Sequence, residues 1–271
     1  MDAFQAIVLG VVQGLTEFLP ISSTAHLRIV PAFLGWDDPG AAFTAVTQLG
    51  TMAAVLLFFR ADLWRIACAW LLSLRRPELR SQLDARMGWY IALGTIPIGF
   101  FGLVFADQIE SGARDLYLIG TTLIVLGLVL LIAEHVARRD RALDEIDRRD
   151  GILVGLAQAC ALVPGVSRSG ATITAGLFLG FDRASAARYS FLLSVPAVVV
   201  SGLFELRKIG EEGGAGVVPT ILATLLAFVV GYASIAFLLR WLAQHSTAVF
   251  VAYRVALGAL VLVLVGAGVI A

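Results

Sequence analysis

The chain has 271 residues, 59% of them apolar and only 15% charged, and its 20 basic and 20 acidic side chains cancel to a net charge of zero. With a mean hydropathy of +0.89, it cannot be an ordinary soluble domain, in which roughly a quarter of residues are charged. The composition predicts an integral membrane protein, and no nucleic-acid partner is expected.

The neutral total conceals an uneven distribution, with arginines crowded into two loops and nearly absent from the long apolar runs. Lys208 is the one lysine. Residues 1 to 20 have no basic region followed by a small-residue cleavage site and read as mature protein. Cys68 and Cys160 lie in or beside apolar segments far apart in sequence, so both are expected to be small core residues rather than a disulfide.

Residues 10 to 26 place polar groups inside an otherwise apolar segment. Gln13 and Glu17 are four apart and share a face if the segment is helical. Pro20 removes a backbone donor and disfavours helical geometry at Leu19, while Ser22, Ser23 and Thr24 are N-cap types for a second helix carrying His26. The stretch therefore predicts helix, break, helix. In lipid, such a break is tolerable only where protein or a water-filled cavity surrounds the freed backbone groups.

A turn at 35–40 leads to an apolar span at 42–59. Segment 60–88, with Arg60, Arg65, Arg75, Arg76, Arg80 and Arg86, is expected outside the membrane, with room for an amphipathic part around Trp64 to Leu74. A span at 89–105, interrupted by Gly94 and Pro97, a short acidic loop with Arg114, and a span at 116–136 follow. Arg138, Arg139, Arg141, Arg148 and Arg149 mark a second exterior loop. His135 and His245, near span ends, are assigned to interfaces.

The second half repeats the pattern. Gly155, Gln158, Pro164 and Ser167 can be laid on Gly10, Gln13, Pro20 and Ser22, and spans at roughly 187–206, 218–240 and 249–270 follow. The expected fold is an all-α polytopic membrane protein. It has six transmembrane helices plus two re-entrant helix hairpins, arranged as an inverted-topology internal repeat. The chain is a single membrane domain, 1–271, with halves of about 1–137 and 150–271. Three crossings per half invert the second copy, so the hairpins enter from opposite faces and meet near the midplane. The arginine-rich loops face the cytoplasm, which opens the first hairpin to the outer side.

Glu17 in a lipid-buried segment costs at least a few kcal/mol unless paired or solvated. It is a metal ligand, a general acid or base, or a structural hydrogen-bond acceptor. Gln13 can ligate an ion, orient a phosphate, or serve as a packing amide. His26 stands close to a helix N-terminus, where free N–H groups and the dipole hold phosphate. It is a nucleophile, a general acid, or a satisfied core histidine. In the run from Pro164 to Thr172, glycines flank a serine-rich turn able to form an anion nest, and Arg168 adds a planar fork suited to phosphate. Arg168 needs an anion, either a phosphoryl ligand or Glu17 itself in a structural ion pair.

Gln13 and Glu17 followed by Pro20, Ser22, Ser23, Thr24 and His26, together with Pro164-Gly165-x-Ser167-Arg168-Ser169-Gly170-x-Thr172, resemble the paired signature of the undecaprenyl-diphosphate phosphatases, the bacitracin-resistance membrane phosphatases. The resemblance implies a bacterial inner-membrane enzyme that removes the terminal phosphate of a C55 isoprenoid diphosphate. The product is the monophosphate carrier of peptidoglycan and envelope polymer synthesis, and the active site faces the periplasm. It assigns Glu17 and Gln13 to a divalent-metal (Mg2+ or Ca2+) and acid/base region, and Ser23, His26 or water to the attack. It gives the diphosphate to Arg168 with Ser167, Ser169, Gly170 and Thr172, and Ser22 and Thr24 join that set. Many members carry glutamate where Gln13 stands, so this chain offers a metal one carboxylate fewer. Besides its polyprenyl substrate the chain meets membrane lipids, and homo-oligomerisation is left open. The rival reading is a transporter of the monophosphate carrier, which would need the same nest and the same broken helices. More nucleophilic and proton-transfer groups converge here than phosphate binding requires.

Overall fold

The computed structural model describes residues 1–106, 108–109, 115–205 and 216–270. Arg114 with most of its acidic loop, and Lys208, lie outside the described residues. The chain forms α1 (Ala3–Phe18), α2 (Ser23–Leu34), α3 (Gly40–Phe58), α4 (Arg60–Arg75), α5 (Leu83–Val104), α6 (Leu116–Val136), α7 (Arg148–Ala159), α8 (Arg168–Phe178), α9 (Arg183–Glu205), α10 (Val217–Leu242) and α11 (Ala248–Gly266). Among the described residues no strand forms, and Arg141 and Phe181 make an isolated bridge. The architecture is that of an all-helical, multi-pass membrane protein. α5, α6, α10 and α11 are each long and apolar enough to cross a bilayer, and α3 with α4 adds a fifth crossing if the pair is one broken span. α9 covers the remaining expected span over 23 residues, with Arg183, Arg188 and several serines in its first turns.

Two helix breaks organise the interior, and their local causes match. α1 starts from a reciprocal capping box between Asp2 and Gln5 and ends with Leu19 extended, ahead of Pro20. α7 starts from the same device between Asp147 and Asp150. It tightens into a 3-10 turn at Cys160–Leu162 and leaves Val163 extended ahead of Pro164. The short helices then begin at Ser22 with φ 73° and at Ser167 with φ 70°. Among the described residues the only other non-glycine with positive φ is Arg139. A non-glycine in the left-handed region costs about 1–3 kcal/mol and persists only when its surroundings hold it there.

The packing around the breaks is equally paired. α1 lies on α10 and α7 lies on α5, while α6 and α11 pack on each other. At Gly10 an added Cβ would fall 2.5 Å from the Ala223 carbonyl oxygen, and at Gly155 it would fall 2.4 Å from Gly94 Cα. Small residues let helix backbones approach this closely in membranes, where apolar transfer gives no drive to associate. Around the α1–α3–α9 junction the core is aromatic: Phe18 meets Phe191 edge-on at 5.4 Å, and Phe59 is buried beside them.

Two expectations change, those for α5 and for the cysteines. α5 is not interrupted but runs through Gly94 and Pro97. Gly94 serves the contact with Gly155, and proline is tolerated in a membrane helix whose neighbours re-satisfy the freed backbone groups. The amphipathic part expected around Trp64 to Leu74 falls in α4, which turns 75° from α3 and leaves Trp64, Leu71, Leu72 and Leu74 exposed. Both cysteines are free, as expected, but neither is a core residue, since Cys68 is half-buried and Cys160 exposed. Cys160 opens the 3-10 turn on the outer face of the break, where nothing encloses it.

Gly155→Leu should disrupt the α5–α7 contact. Overpacking a tight interface costs about 1–3 kcal/mol, so the detergent-solubilised variant should melt several degrees below wild type, whereas Gly99→Leu, where an added Cβ meets nothing within 4 Å, should not.

Candidate active site

Glu17 is the last polar residue of α1 before the break, and its side chain is only 6% exposed. Helical spacing puts Gln13 one turn back, and Gln13 Nε2 donates to Glu17 Oε2 at 3.0 Å. Across the break, Ser23 Oγ donates to the same oxygen at 2.6 Å. The other oxygen accepts from Gln48 Nε2 of α3 at 3.1 Å and from the Arg168 guanidinium in a short ion pair. One carboxylate thus gathers α1, α2, α3 and α8. Of the two anions open to Arg168, the structure pairs it with Glu17.

The second break supplies both the cation and its support. Ser167 caps α8 by accepting from the Gly170 N–H at 3.1 Å and lies 3.1 Å from Ser169 Oγ. Ser169 Oγ donates to the Leu19 carbonyl at 3.1 Å, tying the second break to the first. Thr172 is wholly buried, bonded to the Arg168 carbonyl at 2.7 Å and paired with Ser190 at 2.6 Å. Ser169 and Thr172 therefore fasten the hairpin in this arrangement, and only Arg168 reaches across to Glu17. On the first side, Ser22 stands at the N-cap position of α2 but makes no side-chain cap. Its Oγ lies 3.2 Å from Thr24 Oγ1 instead, so the first-turn N–H groups of α2 have no side-chain acceptor while those of α8 have Ser167.

His26 is brought beside the break but does not bond to Glu17, Ser23 or Arg168. Its Nδ1 lies 2.7 Å from the Ser22 carbonyl and its Nε2 lies 2.7 Å from the Tyr253 hydroxyl. The site therefore holds two separate polar groups, Gln13–Ser23–Gln48–Arg168 around Glu17, and His26 with α11.

α11 also contributes the residue that the motifs passed over. Arg254 is 0% exposed. Its guanidinium donates to the carbonyls of Pro20 at the first break, Gly165 and Val166 at the second, and Leu123 and Thr122 on α6. An arginine inside the 249–270 apolar run is itself a sequence signal, because a charge inside a span needs partners. Gln48 and Tyr253 give no comparable signal, since single polar residues in an apolar helix are common.

The family model described as bacitracin resistance protein BacA matches residues 6–260. The chain belongs to this family. Among similar BacA-family relatives, an undecaprenyl-diphosphatase of a Nocardioides species is 60% identical, covering 100% of this chain and 99% of the relative. Proteins of the same name from Thermobifida fusca and Mycolicibacterium smegmatis are each 54% identical over 100% of this chain, and over 92% and 99% of their own lengths.

This BacA-family site offers a metal oxygen donors only. Among the described residues no three His, Cys, Asp or Glu side chains converge. Glu17 is the single carboxylate, and Gln13 Oε1 is buried without a hydrogen-bond partner, at the other end of the amide that Glu17 holds. One carboxylate and an orphaned amide oxygen on the neighbouring turn suit a hard cation that draws its remaining ligands from a phosphate.

Arg254→Lys should keep the charge but lose the fork that reaches three elements. Losing several of the carbonyl bonds, at about 1 kcal/mol each, should lower the melting temperature in detergent by several degrees, and an unchanged melting curve would show that these bonds carry no stability.

Proposed function

We propose that this chain hydrolyses undecaprenyl diphosphate to undecaprenyl phosphate and inorganic phosphate, recycling the lipid carrier of peptidoglycan and envelope polymer synthesis and thereby conferring bacitracin resistance. The names of the relatives supply the substrate. The chemistry rests on one observation, the contact of Glu17 with both Ser23 and Arg168 where two helix breaks meet. A hydroxyl bonded to a carboxylate is a nucleophile with its base. Phosphate binding alone has no use for that pair, so hydrolysis accounts for the site where translocation of the carrier does not.

In this mechanism the diphosphate enters between the two hairpins and takes over the Arg168 guanidinium, which can bond phosphate oxygens in a bidentate manner. The uncapped N-terminus of α2 offers its N–H groups and dipole to the same anion. Released from Arg168, Glu17 accepts the Ser23 proton as Ser23 Oγ attacks the terminal phosphorus. The Oγ–P bond forms, the bridging P–O bond breaks, and Glu17 passes the proton to the oxygen of the departing undecaprenyl phosphate. Water, giving its proton to Glu17, then cleaves the phosphoserine to inorganic phosphate, and Glu17 returns that proton to Ser23 Oγ. Charge neutralisation and in-line positioning are the main catalytic terms. Mg2+ or Ca2+, held through Glu17 and Gln13 Oε1 with phosphate oxygens, would add charge neutralisation.

The proposed setting is the bacterial inner membrane with the site opening to the periplasm. Arginine-rich loops at 60–88 and 137–150 support this orientation by the positive-inside rule. We take the architecture as six spans and two re-entrant hairpins in inverted halves of about 1–137 and 150–271. Matched capping boxes, left-handed serines at matched breaks, and the paired contacts of α1 with α10 and α7 with α5 support it.

Phosphate release from a detergent-solubilised isoprenyl diphosphate tests the reaction. Wild type should release phosphate and EDTA should suppress the release. Glu17→Ala and Arg168→Ala should abolish turnover with melting curves intact, and Ser23→Ala should lose about 10²-fold or more. Full activity of Ser23→Ala would move the attack to His26 or water, and activity retained by either Glu17→Ala or Arg168→Ala would overturn the scheme.

A further inference from the structure

Tyr253 carries an inference that the reaction scheme leaves untouched. It sits beside Arg254 on α11, and Arg254 is fixed by carbonyls of both breaks. That anchor sets the register of the helix, so the neighbouring residue meets α2 at a defined height. The Tyr253 hydroxyl lies 2.7 Å from His26 Nε2, with ring planes 7° apart and centroids at 5.6 Å. On the other side of the imidazole, Nδ1 faces the Ser22 carbonyl at 2.7 Å. A carbonyl oxygen only accepts, so Nδ1 carries the proton and donates. In the neutral ring Nε2 then bears the lone pair, and the phenol O–H is the donor to it. His26 is 5% exposed whereas Tyr253 is 45% exposed, so the phenol lies between the buried nitrogen and the outside.

We infer that Tyr253 is a positioning residue for the phosphatase reaction, holding the Nε2 lone pair of the His26 imidazole, whose Nδ1–H the Ser22 carbonyl fixes, directed at α11 and shielded from competing donors. The Ser22 carbonyl holds one ring nitrogen and leaves the far edge of the ring without a partner. Tyr253 supplies the second point, and two points determine the ring. The first point comes from the residue with φ 73° at the break, so the strained backbone and α11 act on one imidazole. This rests on the phosphatase reading for its kinetic consequence, but not for its geometry.

Two measurements on the full chain in detergent test it. Nitrogen-15 imidazole spectra of a His135→Gln, His245→Gln background, which leaves His26 as the single histidine, should show Nδ1 protonated and Nε2 bare, and Tyr253→Phe should shift the Nε2 signal as its hydrogen bond is lost while Nδ1 stays protonated. A protonated Nε2 in the neutral ring of the unmutated Tyr253 protein would overturn the proposal even if Tyr253→Phe failed to fold. In phosphate-release kinetics, Tyr253→Phe should lower kcat by about tenfold or more and leave KM within about twofold. Wild-type kcat, or a loss of kcat with unchanged nitrogen signals, would each overturn it. No phosphate release by wild type would count against the phosphatase reading alone, since the spectra still judge the Tyr253–His26 contact.

Discussion

The buried Arg254 guanidinium is the constraint on which the interior depends. Breaking a helix inside a membrane strips carbonyls of their intrahelical partners, and lipid offers no replacement. Here two breaks are brought together, and one side chain from a third element supplies donors to Pro20, Gly165 and Val166 while bonding α6 through Thr122 and Leu123. An isolated charge at this depth would be costly. The carbonyl dipoles solvate it, and because its partners are all carbonyls, no carboxylate cancels its charge. The same interaction that makes the breaks tolerable therefore leaves a positive charge beneath the place where they meet.

Glu17 answers the charge on Arg168. Buried ion pairs gain little net stability because desolvation offsets the attraction, so the Glu17–Arg168 pair is better understood as a poised arrangement than as a fastening. Four donors converge on the carboxylate, and a phosphate can replace it on the guanidinium. In the proposed exchange, Glu17 relieved of Arg168 keeps Ser23. Ser169 and Thr172 tie the second break to its surroundings, Ser169 through the Leu19 carbonyl of the first.

Local chemistry made much of this legible. Helical spacing relates Gln13 to Glu17, proline ends α1 and the α7 turn, and apolar length finds spans such as 116–136, which α6 matches end to end. Pro97 misleads, because the rule that ends a helix in water is relaxed where neighbouring helices cover the freed groups. The amphipathic part expected around Trp64 to Leu74 falls in α4. Arg254 was visible as a charge in a span, yet the two motifs drew attention away from it.

The sequence by itself determined that the chain is helical and membrane-embedded, that it breaks twice at prolines followed by serines, and that Glu17, His26 and Arg168 are ionisable groups set beside those breaks. These follow from composition, period and side-chain type, which are properties of short stretches. Only the tertiary structure decided that Glu17 pairs with Arg168 across 151 positions of chain, that Ser23 rather than His26 bonds the carboxylate, and that Arg254 and Tyr253 belong to the site. Those relations depend on how helices cross. Crossing is set by close approaches such as Gly10 on Ala223 and Gly155 on Gly94, which no local pattern encodes.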